Sequence, residues 1–170
     1  MRRSDREITD NNEIIKVIEK CDVCRIALSR NNIPYIVPMS FGYEYTDEKL
    51  ILYFHCAKEG KKLDIISENP AACFEFDCSH RIIAAEKANN YTMEYESVIG
   101  SGNIIIVADS EITEKRRALS LLMRKYAPER TVEFSEAYFT DEKHFTSEMM
   151  NSVTVLKLVA DYFTGKRNIK

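Results

Sequence analysis

Residues 52–66 read LYFHCAKEGKKLDII. This interval places His55, Lys58, Lys61 and Lys62 between the end of a strand-like run and the start of a helix-like one. The first amides of a helix lack intrahelical acceptors and face outward, so they favour an anion, and the helix dipole adds a modest term of the same sign. The lysines add charge, and Gly60 lets a ligand approach the backbone. The chemistry this spacing suits is phosphate binding. It is not a P-loop, because the GxxxxGK[ST] pattern is absent. On the residues alone, a solvated lysine turn accounts for the segment equally well. His55 has two readings: it faces a site, where it holds an anion when protonated or donates a hydrogen bond when neutral, or it makes a structural hydrogen bond.

A second interval, IPYIVPMSFGYEY at 33–45, offers Val37, Pro38 and Met39 as an apolar wall, with Ser40 beside Phe41 and Gly42. A planar ring fits against such a strand, and a barrel edge broken by two prolines is the plainer alternative. A third, ESVIGSG at 96–102, brings Ser97 and Ser101 next to glycines and reads as a close-approach surface or a bent strand. Other chemistry is sparse. His55, His80 and His144 lie on separate segments without metal-motif spacing. Cys21 and Cys24 have CxxC spacing, but there is no second CxxC, and Cys24 enters an apolar run where a small buried thiol fits. Ser29 and Ser40 lack a nucleophile-elbow setting. Glu94 and Glu96 can approach one another on a strand without defining a glycosidase, and Phe54, Phe74 and Phe76 suit a core.

The elements that must position these residues follow from periodicity and punctuation. Asn11–Lys20 reads as a helix with Ile14 and Ile18 on one face, capped by Asp10, Asn11 or Asn12. Strands are expected at 23–29, at 33–41 with 43–45 finishing that strand, at 50–56 and at 71–76, with a turn at Arg30-Asn31-Asn32 and a hairpin at 46–49. Pro34 and Pro38 confine their strand to an edge, an end or a bulge. A short helix spans the KEGKKLDIISENP segment and stops at Asn69-Pro70. Residues 77–90 are polar and aperiodic and read as strand ends and a loop. Residues 91–107 form one long strand or two joined at Gly100 to Gly102. Glu114–Tyr126 is the clearest helix, 132–150 mixes loop and short helix, and 153–159 is a strand followed by a basic tail from Thr164-Gly165-Lys166. These segments do not alternate as βαβ units, which favours an antiparallel barrel with peripheral helices over a doubly wound sheet.

The whole chain bounds the function. Its 170 residues suit a single domain, and 45% hydrophobic with 30% charged residues suits a soluble globular protein. A net charge of −3 argues against a general nucleic-acid binder. No run approaches a membrane span and no secretory core is evident, so a cytoplasmic location is expected. Five cysteines, an odd number, do not suggest a disulfide framework.

Taken in order, MRRSDREITD, PYIVPMSFGYEY, LYFHCAKEGKKLDII, NPAACFEFD, SVIGSG, the EKRRALSLLMRKY helix and the closing strand ending in TGK resemble the pyridoxamine 5′-phosphate oxidase-like flavoproteins. The likeness is strongest to their nitroimidazole-resistance branch and is weakest in the middle loop and at 132–150. The resemblance implies a mainly β fold, an FMN-binding split β-barrel with peripheral helices, as one domain over 1–170 with an N-terminal arm. It implies a homodimer with flavin mononucleotide (FMN) at the subunit interface. Val37, Pro38, Met39, Ser40 and Phe41 then lie along the isoalloxazine ring, and Lys61 and Lys62, with Lys58 near them, serve the phosphate. His55 sits near flavin or substrate as the catalytic candidate, and Ser97 and Val98 add further contacts. The implied activity is an FMN-dependent oxidoreductase fed by NADH or NADPH that reduces a small electron-poor acceptor such as a nitroaromatic. A flavin sensor or storage module, and a related haem or deazaflavin barrel, are the alternatives.

Overall fold

The computed structural model describes residues 3–130 and 146–169. Eight strands are present among them: β1 (Glu7–Ile8), β2 (Cys24–Arg30), β3 (Ile33–Met39), β4 (Gly42–Thr46), β5 (Lys49–Cys56), β6 (Ala71–Ile83), β7 (Thr92–Ile106) and β8 (Thr154–Asn168). The helices are α1 (Asn11–Lys20), α2 (Lys61–Glu68), α3 (Ile112–Tyr126) and the short α4 (Ser147–Asn151). All the pairings are antiparallel, in the order β3-β2-β6-β7-β8-β5-β4, with β1 added to the end of β8.

That order forces a barrel. β3 and β4 stand at opposite ends of the path, yet only Ser40 and Phe41 separate them in sequence. Three peptide steps reach about 11 Å at most between the Cα atoms of Met39 and Gly42, so the two ends of the sheet must curl toward each other. They are not hydrogen-bonded as a ladder, so the wall is split at this seam. Pro34 and Pro38 therefore lie on an edge strand, the position a residue without an N–H requires.

The core fills the inside of the curl. Ile26, Leu28, Leu50, Leu52, Phe54, Phe74, Phe76, Val98, Leu156 and Leu158 are buried in one cluster, with Val17 and Ile18 of α1 closing one end. The three phenylalanines are thus core residues. On the opposite face of β5, Tyr53 packs under α3 with Val107, Ala118 and Val155. Gly42 makes that helix placement possible: a Cβ there would lie 2.8 Å from both Leu121 Cβ and the Leu122 backbone nitrogen.

Several expectations change. Residues 43–45 do not finish the 33–41 strand: they belong to β4, at the opposite end of the sheet path from β3. Residues 77–83, read as strand ends and loop, continue β6, which pairs with β7 as far as Ile83 with Thr92. The alternation was hidden by a register shift between Cys78 and Arg81 and by Ser79 at φ 59°. Thr164-Gly165-Lys166 does not start a tail: β8 runs through it to Asn168, with Lys166 opposite Ser97 and Gly165 opposite Val98. The N-terminal arm is likewise anchored, with Glu7 opposite Lys166 and Ile8 opposite Gly165. Residues 92–106 form one strand whose register shifts between Ser101 and Gly102. The asparagine turn and the 46–49 hairpin follow the sequence reading, with positive φ at Asn31, Asn32, Asp47 and Glu48. Asp10 caps α1 by accepting from the Asn12 amide at 2.8 Å.

One buried carboxylate joins these pieces. Glu96 has no exposed surface, and it accepts from Lys20 of α1 (2.7 Å), Ser79 of the β6 irregularity (2.8 Å) and Arg167 of β8 (2.6 Å). Burial alone would raise its pKa, but the three hydrogen bonds outweigh burial and hold it below the ordinary value. Glu94 pairs separately with Arg81 at 2.7 Å, so the two carboxylates do not form an acid–base pair.

Two outcomes are expected. Gly42→Ala forces β4 away from the α3 backbone and should destabilise the fold by about 1–3 kcal/mol, read as a lower urea midpoint with an unchanged slope. A lowered folded-state pKa stabilises above the unfolded value of about 4.3 and is lost as pH falls through the folded value. Acid unfolding of Glu96→Gln should therefore depend less steeply on pH below about 4.3 than that of the wild type; superimposable slopes would remove Glu96 from the acid response.

Candidate functional site

The first two of the intervals singled out above meet where Lys61 reaches Tyr35. β3 carries Val37, Pro38 and Met39 up to the seam, and β5 ends at His55 and Cys56, just before α2. Lys61, the first residue of α2, sets its ammonium 4.7 Å from the centre of the Tyr35 ring on β3. Lys62 is close enough to Cys56 to oppose the upward push that burial gives its thiol. Tyr35, which sequence reasoning passed over, is thus the platform that ties α2 to β3.

The start of α2 is open to an anion. Gly60 has φ 144°, a conformation that L side chains rarely adopt, and beyond its own chain neighbours no atom lies within 4 Å of where its Cβ would be. Its carbonyl accepts from the amides of Leu63 (2.8 Å) and Asp64 (3.3 Å), and no side chain caps the helix. The Lys61 and Lys62 amides have no acceptor among the described residues. Amides without an acceptor, an exposed and a half-buried lysine, and an unhindered glycine backbone suit a phosphate.

Strand alternation divides the remaining candidates. Val37 and Met39 are half-buried and pack against the core cluster, whereas Pro38 and Ser40 are exposed. His55 is exposed on the α3 side of β5, beyond Tyr53, and its imidazole has no hydrogen bond or ion pair to another described residue. Ser97 is half-buried on the outer sheet face between Asp77 and Lys166. Phe41 and Val98 have no exposed surface and act here as packing. Lys58 gives both of its close contacts to Asp109, at 2.8 and 2.9 Å. His144 lies outside the described residues.

The seam itself is clasped by the end of α3. Tyr126 Oη accepts from the Phe41 amide at 3.1 Å and donates to the Asp22 carbonyl at 2.6 Å. The Phe41 ring meets Phe76 at 4.7 Å between centroids, and the Lys125 ammonium lies 4.4 Å from its centre. Burial lowers the pKa of Lys125, whose ammonium also donates to the Glu19 carbonyl at 3.0 Å. No periodicity marks Tyr126 as a clasp, because its partners are 85 and 104 residues away.

An antiparallel sheet curled and split along one seam, with an anion-ready helix start beside the split, defines a split barrel. The family model described as pyridoxamine 5′-phosphate oxidase matches residues 10–167, and the chain belongs to that family. Among solved structures it is similar to a putative 5-nitroimidazole antibiotic resistance protein from Bacteroides thetaiotaomicron, with 29% identity, 95% of this chain and 86% of that one covered, and a TM-score of 0.75. An FAD- and haem-binding protein from Mycobacterium smegmatis shares the fold at 19% identity, covering 97% and 74%, with a TM-score of 0.75. A flavocytochrome from Azotobacter vinelandii shares it at 15%, covering 100% and 72%, with a TM-score of 0.74. No curated protein matches the sequence. Among the described residues no helix is long and apolar enough to cross a membrane.

Tyr126→Phe removes both hydrogen bonds of the clasp while keeping the ring. It should cost about 0.5–1.5 kcal/mol of stability and raise amide exchange at Phe41 and Gly42 more than at the barrel centre; uniform exchange would show that the seam is held by packing alone.

Proposed function

We propose that this chain is an FMN-dependent oxidoreductase that works as a homodimer, takes electrons from NADH or NADPH and passes them to a small electron-poor acceptor, nitroaromatics being the leading class. The observation that carries the reading is the convergence of the open α2 start with the edge strand β3, in a family of flavin-binding barrels. The 29% identity to the putative nitroimidazole-resistance protein supports the acceptor class.

The residues present fit FMN. Lys61, Lys62 and the first α2 amides hold its phosphate, while the Val37–Ser40 edge supplies an apolar strand without a second ladder partner. The bound flavin supplies reversible two-electron chemistry. His55, exposed at the end of β5, orients the acceptor and holds or relays a proton at its imidazole. Apolar side chains at the seam limit water around the ring.

The outer sheet face supports a dimer. Cross-strand register aligns Ile36, Ala27, Cys73, Ser101 and Tyr162 in one row across five strands. The next row carries Pro38, Arg25, Glu75, Ile99 and Thr164. Ile36, Ile99 and Tyr162 are more than half exposed. Such an apolar sheet face on a free monomer marks an interaction surface.

The deciding experiment titrates the apo protein with FMN and with riboflavin, followed by visible absorbance. Saturable binding that prefers FMN is expected, and Lys61→Ala with Lys62→Ala should weaken FMN much more than riboflavin. Equal effects on both ligands would count against a phosphate role. His55→Gln should keep FMN and lower the rate of acceptor reduction; an unchanged rate rejects its proposed role. Ile99→Lys should shift sedimentation toward a monomer, and a persistent dimer would place the interface elsewhere.

A further inference from the structure

Lys115 lies in the first turn of α3, fully buried. Its ammonium donates to Asp109 Oδ1 at 2.5 Å, to the Met150 carbonyl at 3.0 Å and to the Val153 carbonyl at 3.4 Å. Asp109 is its anionic partner among the described residues. The same carboxylate stands 57% exposed and receives the Lys58 ammonium on both oxygens, at 2.8 and 2.9 Å. Together the two lysines hold the Asp109 carboxyl at about 2. Lys58 is two residues before Gly60, where the anion-ready turn begins. An exposed Lys–Asp pair is ordinarily a loose contact. This one differs because its carboxylate is itself pinned by a buried cation that has no other charged partner among the described residues.

We propose that Asp109 is a positioning residue for the anion site: pinned by Lys115, it tethers Lys58 and thereby fixes the turn that presents Gly60, Lys61 and Lys62. Lys58 then acts as a strut, because two of its three N–H donors are committed to Asp109. The inference rests on the phosphate reading of the α2 start, and it makes a prediction of opposite sign to simple electrostatics. On charge alone, releasing Lys58 from Asp109 strengthens binding of a phosphate ester. If Asp109 positions the turn, releasing it weakens that binding.

The test uses the full chain and two variants, Lys58→Met and the pair Asp109→Asn with Lys115→Met. The double variant leaves net charge unchanged and avoids stranding a buried ammonium. Amide exchange over residues 57–64 is measured first without ligand, and FMN and riboflavin affinities are measured second. Exchange in that segment should accelerate about tenfold in both variants, with the barrel strands unaffected. FMN affinity in the double variant should fall roughly tenfold while riboflavin changes less than about twofold. Unchanged exchange overturns the proposal whatever the ligands do, as does tighter FMN binding, which would make Asp109 a competitor for Lys58. Faster exchange with an unchanged FMN-to-riboflavin ratio overturns the link to the anion site. Faster exchange in a chain whose wild type binds both ligands equally overturns the phosphate reading and leaves Asp109 as a tether of the turn alone.

Discussion

The two-residue link between β3 and β4 constrains everything else. Ser40 and Phe41 must join the two ends of a sheet path seven strands long, which leaves the wall curled and open along one seam. An open seam exposes backbone that a closed barrel would pair, so it has to be braced from outside. α3 is the brace: Leu121 and Leu122 sit against Gly42, and Tyr126 takes up the Phe41 amide. The prolines of β3 complete the solution, because an edge strand with fewer free N–H groups is a poorer template for stray pairing.

Charge is used inside this fold as an anchor between elements. Glu96 gathers a helix, a strand irregularity and the last strand at one end, and Lys115 gathers α3, the loop before it and the chain entering β8 at the other. A buried charge is costly unless fully partnered, so each anchor has one arrangement of neighbours that satisfies it and few near alternatives. Apolar packing between the same elements tolerates sliding; a carboxylate with three donors does not.

Much of this was legible in the sequence, and the gaps have physical reasons. Periodicity located α1 and most strand cores, and Pro34 and Pro38 narrowed their strand to an edge, an end or a bulge, of which the structure shows the edge. Local signals failed where long-range pairing overrode composition. The polar stretch after Phe76 is strand because β7 pairs with it, and Thr164-Gly165-Lys166 is strand because Ile8, Ile14 and β7 close over it. The lysine-rich turn was visible as a candidate anion site, but charge counting gave all of its lysines the same role. Only the position of Asp109, 51 residues from Lys58, distinguishes the tethered lysine from the two at the helix start. Tyr35 and Tyr126 escaped for the same reason, since their partners are distant in sequence.

The alternation of the strands also bears on the proposed dimer. Val37 and Met39 face inward, Pro38 and Ser40 are exposed, and His55 lies on the α3 side of β5. A flat ring laid against this seam touches strand ends and turns on one side and meets solvent on the other. Burying its second face requires another surface, and the row from Ile36 to Tyr162 places exposed apolar side chains on the sheet that starts at the same edge strand. In the proposed dimer, a second copy that covers this row would also approach β3, so that assembly and closure of the proposed ring site would be one event. The open seam, which needs bracing in the monomer, is then the feature through which the proposed dimer would share its cofactor.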